Sequence, residues 1–160
     1  MTVYTRIDAG TTPPRQGLPL YPPDMISIDD FAEQLIRLGA GWRKRPLPRK
    51  RRDRQILMKS ILLTLDSSRT YTEPEINERI IAWNAQVAPA IETDYVTLRR
   101  LLVDHGHLER RADGGTYQVG FPPSPLAFDL EVDDLDVVAT VAAYREAHPP
   151  GSRSQRQKMT

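Results

Sequence analysis

The dipeptide Asp113-Gly114 is the feature that most constrains the fold of this chain. It stands between two short alternating runs, Leu108-Glu109-Arg110-Arg111 and Thr116-Tyr117-Gln118-Val119. An Asp-Gly pair supplies the backbone conformations that a tight hairpin turn requires, so the two runs are expected to pair as a β-ribbon. What precedes the ribbon is helical in pattern. The spacing predicts helices over about 52–65, from about Thr72, and over about 94–104.

The start and stop signals of these helices are local. Ile56, Leu57, Ile61 and Leu65 form the apolar face of the first helix, and Met58 and Leu62 broaden it. Asp66-Ser67-Ser68 breaks it. Thr72-Glu73-Pro74-Glu75 is a capping box, in which hydroxyl and carboxylate satisfy each other's free backbone N–H groups. Pro74 falls in the first turn, where its missing donor costs little. Ile76, Ile80 and Trp83 give this helix its apolar face. Thr93 or Asp94 caps the third helix and Gly106 ends it. On a helical wheel Tyr95, Leu98, Leu101 and Leu102 point inward, whereas Arg100 points outward with Arg99 and Thr97 on its flanks. Val96, Val103 and Asp104 also lie near the outward side. Three short helices followed by a ribbon make a winged helix-turn-helix, so the fold class expected is mainly α with a small β-ribbon.

The flanks read differently. Residues 1–42 combine a proline-rich arm, in which Leu20 and Tyr21 could dock, with a short helix at 27–38. Ser27 caps that helix, Phe31, Leu35 and Leu38 form one stripe, and Gly39 and Gly41 end it. Pro122, Pro123 and Pro125 form a linker, and a second flanking helix is expected over 131–147. Its apolar positions are Leu135, Val138, Val141, Ala142 and Tyr144, and Asp133, Asp134 and Asp136 crowd its start. Residues 149–160 read as a disordered tail. Both flanking helices carry narrow apolar stripes through which the chain could form a homodimer.

Charge is segregated although the net charge is +1. Residues 43–54 hold eight basic side chains and one acidic one, whereas 55–119 sum to −2 and the segment 120–148 to −5. Positive potential therefore sits in one short tract. There is no cysteine, which excludes disulfides and thiolate metal sites. No apolar stretch approaches a signal peptide or a membrane span, so a cytoplasmic location with no membrane partner is expected. His105, His107 and His148 lack the spacing and carboxylates of a metal site. Glu73 and Glu75 are better explained by capping than by acid–base work, and no nucleophile motif or phosphate loop is present. Neither an enzyme nor a cofactor is expected.

Leu47-Pro48-Arg49-Lys50, then Arg69-Thr70-Tyr71-Thr72-Glu73-Pro74-Glu75-Ile76-Asn77, resemble motifs of the bacterial DUF2087 family. So do the run from Asp94 to Gly106, Leu108-Glu109-Arg110, Asp113-Gly114 and Tyr117. The resemblance covers residues 47–119 and implies a domain of winged-helix character. Some members carry it beside an ArsR-like or other helix-turn-helix domain, which implies work related to transcription.

The leading expectation is therefore a DNA-binding transcriptional regulator. Thr97, Arg99 and Arg100 would face the major groove, and Arg110 and Arg111 would act from the ribbon. Arg49, Lys50, Arg51 and Arg52 would lie along phosphates, and neutralising about five of them would give a salt slope near −5. Against this, Arg100 could pair with Asp104 and Arg99 with a neighbouring helix. Arg110 and Arg111 could simply be solvated, and the tract could pair with the acidic segment and be masked by it. The alternative function is a protein-interaction adaptor docking on a larger transcription or ribonucleoprotein machine, with Val96 and Val103 marking its contact surface.

Overall fold

The computed structural model describes residues 25–121 and 127–151. The arm before Met25, the linker prolines Pro122, Pro123 and Pro125, and the tail beyond Gly151 lie outside the described residues. Among the described residues the chain forms five α-helices and three small β-sheets.

Helix α1 spans Ile28–Gly39, α2 Arg51–Leu62, α3 Glu73–Gln86, α4 Tyr95–Asp104 and α5 Val137–Ala147. Each cap anticipated from the sequence forms. The backbone N–H of Asp30 donates to Ser27 Oγ, that of Glu75 to Thr72 Oγ1, and that of Thr97 to Asp94 Oδ1. These bonds satisfy donors that the first helical turn leaves free. Helix α2 begins without such help: its N-cap is Lys50, whose side chain makes no capping bond.

Strand β1 is Met25–Ile26, β2 Arg45–Pro46, β3 Tyr71–Thr72 and β4 Ile91–Glu92. Strands β5, Leu108–Arg110, and β6, Thr116–Val119, form the expected antiparallel hairpin, with Leu108 opposite Val119 and Arg110 opposite Tyr117. Gly114 takes a φ of +75°, as the Asp-Gly turn requires. The ribbon has a third member that sequence reasoning assigned only to the helix start. Tyr71 pairs with Tyr117 and Thr72 with Thr116, so the sheet runs β3-β6-β5. Thr72 serves twice, as a strand residue and as an N-cap, and thereby locks the start of α3 to the hairpin.

Two further pairings are parallel and only two residues long. Strand β2 pairs with β4, and β1 pairs with β7, Ala127–Phe128. The first ties the basic tract to the centre and the second ties the two flanks to each other: β1 leads into α1, and β7 leads into a 3₁₀ turn, Leu130–Asp134. That turn corrects the helix expected over 131–147. Leu135 is extended and Asp136 becomes a new N-cap, accepting from the Ala139 N–H, so only Val137–Ala147 is α-helical. Likewise α2 stops at Leu62, and Leu63–Leu65 turn away half-buried.

One core serves all five helices. Ile56, Ile61, Ile76, Ile80 and Trp83 are buried in it with Leu98 and Leu102. Phe31, Leu35 and Leu38 of α1 join it, as do Val132, Val137 and Val141. Burying a side chain of this kind contributes about 1.5–3 kcal/mol. Helix α1 packs on α2, and α5 packs on α1 and α3. The stripes read as spare dimerisation faces are thus largely consumed inside the chain, although Ala142 is exposed. The buried Trp83 indole N–H donates to Ser60 Oγ, and Ser60 in turn donates to the Leu57 carbonyl, which satisfies the polar groups of these two side chains.

Gly39 is the last residue of α1 rather than a break after it. Its role is close packing, because a methyl group placed there would lie 2.8 Å from Ala88 Cβ. Ala88 belongs to the loop between α3 and β4. Ala90 donates its N–H to the Gly39 carbonyl and accepts from the Arg45 N–H at 2.8 Å. This loop is where α1, the basic tract and the entry to α4 meet.

Candidate nucleic-acid interface

The basic tract begins at this meeting point. Lys44 Nζ donates to the Pro89 carbonyl at 2.6 Å, and Arg45 Nη1 reaches the Arg37 carbonyl at 3.3 Å. The β2–β4 pairing then places Arg45 and Pro46 beside Ile91 and Glu92, just ahead of the Asp94 cap of α4. The tract does not dangle from the domain; its first half is a strand next to the entry of α4.

Its second half runs into α2. Arg49, Lys50, Arg51 and Arg52 are all exposed, and among the described residues none of their side chains forms an ion pair. Two neighbours are used structurally instead. Arg54 donates from Nε to the Pro48 carbonyl at 2.6 Å, which folds the approach to the helix. Asp53 is buried and accepts from Arg37 at 3.3 Å. Its negative charge suits the N-terminal end of the helix dipole, which the surrounding cations oppose. With no capping side chain and four exposed cations, this helix start concentrates positive potential.

The arginines of α4 divide. Arg99 lies back against α3, where it donates to Asn77 Oδ1 and pairs with Glu73 at 3.4 Å, and its side chain is only 16% exposed. Its guanidinium is committed to holding α4 on α3. Arg100 is exposed and forms no ion pair among the described residues, so the alternative in which it pairs with Asp104 is not seen. Thr97 is exposed, but its hydroxyl donates to Asp94 Oδ2 at 2.9 Å. Hydrogen bonds from the Thr97 N–H and hydroxyl hold the Asp94 carboxyl below the usual carboxylate range. Two wheel assignments shift: Tyr95, placed inward, is exposed, and Val103, placed outward, is half-buried against the core. Val96 is also half-buried.

The hairpin arginines brace the hairpin. Arg110 donates from Nε to the Gly114 carbonyl at 2.8 Å, across its own turn. Arg111 donates to Gln118 Oε1 at 2.9 Å. Both remain exposed, and each guanidinium keeps further N–H groups unused by these bonds. Among the described residues no ion pair joins the acidic segment to Arg49, Lys50, Arg51 or Arg52. Asp133 pairs with Lys59 at 2.6 Å, outside the tract, and α5 meets residue 42 rather than the tract cations. There Trp42 donates to the His148 carbonyl and Arg145 stacks over its ring at 3.6 Å.

Sequence reasoning missed the anchoring of the tract by β4. Ile91-Glu92 carries no strand signal of its own, and the pairing rests on two residues. No group of histidines and carboxylates suited to a metal ion occurs among the described residues, and no helix there is long and apolar enough to cross a membrane.

No curated protein and no solved structure gives a significant match to the chain. Residues 44–119 match the family model described as an uncharacterized protein conserved in bacteria, DUF2087, so the resemblance seen in the motifs holds and takes in most of the basic tract.

Proposed function

We propose that α2, α3, α4 and the three-stranded sheet form a winged helix, and that the protein binds DNA as a regulator of transcription. The element order supports the fold reading: helix, short strand, two helices, then a hairpin whose second strand pairs with the short strand. The observation that carries the functional reading is the run Arg49-Lys50-Arg51-Arg52. Its four exposed cations lack carboxylate partners among the described residues, and the β2–β4 pairing ties the chain just before them to the entry of α4.

In this reading the tract anchors on phosphates and sets the register of α4 in the major groove. Arg100 is the base- or phosphate-contacting side chain of α4, and Arg110 and Arg111 use their spare N–H groups from the wing. Arg99 supports α4 from behind. Affinity then comes mainly from the phosphate backbone, because the remainder of the domain is slightly acidic.

Titration of non-specific duplex DNA at two salt concentrations tests this. Replacing Arg49, Lys50, Arg51 and Arg52 together with alanine is expected to weaken binding about a hundredfold at low salt and to flatten the salt slope by about 3 to 4. Unchanged affinity and slope in a folded variant would defeat the proposal. The adaptor reading has one observation of its own: Ile81 on α3 and Tyr95 on α4 are large apolar side chains left 51% and 39% exposed. It takes over if the unaltered protein fails to bind duplex even at low salt.

A further inference from the structure

A cleft of about 500 Å³ opens between the second half of α2 and the hairpin. Leu62, Leu63 and Leu65 line it from one side, and Val119, Phe121 and Phe128 from the other. Its volume lies in the range of small-molecule sites, and its walls have their apolar character.

Two of the polar groups lining the cleft lack partners. His107 is 7% exposed, lines the cleft, and has no hydrogen-bond partner for its ring among the described residues. Burial, reinforced by the nearby His105 and Lys59, lowers its pKa to about 4. At neutral pH the ring is uncharged and presents one N–H and one acceptor nitrogen. Gln55 of α2 also lines the cleft, and its buried Oε1 has no hydrogen-bond partner. Buried polar groups are usually satisfied, so the unmet Gln55 Oε1, beside a largely buried imidazole with no partner among the described residues, points to a ligand that meets them.

The charged lining neutralises itself. Lys59 Nζ sits 2.6 Å from Asp133 Oδ1 and 5.6 Å from the centre of the Phe128 ring. An anion would have to compete with Asp133 for Lys59, and a cation would be repelled by Lys59. Phe121, with 85% of its surface exposed, offers a ring face at the edge of the cleft.

We propose that this cleft binds a small uncharged molecule with a flat apolar body and, at one edge, a hydrogen-bond donor and an acceptor. A primary amide on an aromatic ring has this chemistry. The ring lies against Phe121 and the leucines, and the polar edge meets His107 and Gln55. None of the four exposed cations at the start of α2 lines the cleft, so the proposal does not depend on DNA binding.

Benzamide is the probe, titrated into the full isotope-labelled chain at neutral pH and followed by NMR. Saturable shifts of the Gln55 side-chain amide and the His107 ring are expected, with a dissociation constant of about 1 mM, as befits so small a ligand. Gln55→Leu and His107→Phe keep the apolar volume of their sites, and each is expected to weaken binding about fivefold or more. Toluene, which lacks the polar edge, should bind more weakly than benzamide. Absence of saturable shifts up to the solubility limit of benzamide overturns the proposal. So does undiminished binding in both variants. Benzoate binding more tightly than benzamide overturns the uncharged assignment.

Discussion

Four cations open α2 and four arginines lie on α4 and the hairpin, with equal formal charge and opposite circumstances. Arg49, Lys50, Arg51 and Arg52 are exposed and unpaired among the described residues. Of the other four, Arg99 is bound to Glu73 and Asn77, Arg110 to the Gly114 carbonyl and Arg111 to Gln118, which leaves Arg100. The difference teaches that a count of basic residues overstates the charge a domain can offer a partner. A guanidinium that bridges two elements has already exchanged its hydration for protein contacts. A cation at a helix start, facing water and opposed by the dipole, gains most from an external anion.

Three measurements can break or sharpen this contrast. The largest effect concerns charge placed where the fold excludes it. His107 has its pKa lowered to about 4, first by burial and then by His105 and Lys59, whereas an unfolded histidine titrates near 6.5. Between these values the unfolded chain binds the extra proton and the native chain does not. Stability is therefore full above about pH 6.5 and falls as the pH drops toward 4, by up to about 3 kcal/mol from this group. Denaturant unfolding across that window should show the loss in the unaltered chain and a shallower one in His107→Phe. Equal pH dependence in both would mean that the ring is not shielded.

The next effect concerns how the tract is seated. Gly39→Ala forces a methyl group against Ala88 in the loop that receives Arg45, and is expected to cost about 2 kcal/mol. It should also weaken duplex binding if that seating matters, whereas a stability loss with unchanged affinity would show that the tract acts as a free arm.

The smallest effects separate the two α4 arginines. Arg99→Ala should lower stability by about 1 kcal/mol with little change in duplex affinity, because its bonds are internal. Arg100→Ala should do the reverse, leaving stability alone and weakening binding by about tenfold or less. Thermal denaturation and duplex titration on both variants decide it. The opposite assignment of losses would return Arg99 to the interface.

Much of the fold was legible because its signals are short-range. Ser27, Thr72 and Asp94 cap their helices through bonds to residues three positions on, and any chain with these neighbours can make them. Asp113-Gly114 turns the chain for the same reason. The site was less legible. An outward position on a helical wheel shows where a side chain leaves its own helix. It does not show that Asn77 and Glu73 on α3 stand within reach of Arg99. Nor could composition reveal that the acidic segment would spend Asp133 on Lys59, outside the tract.

The sequence by itself therefore determined the helices, their caps, the hairpin turn and the existence of a concentrated basic tract. Only the tertiary structure decided the third strand at Tyr71–Thr72, the split at Leu135, and the burial of much of both flanking stripes. It also decided which cations remained free. The physical reason is one of range. Caps and turns are settled within about four residues, whereas a two-residue strand or an interhelical arginine gains its stabilisation from a partner elsewhere in the chain.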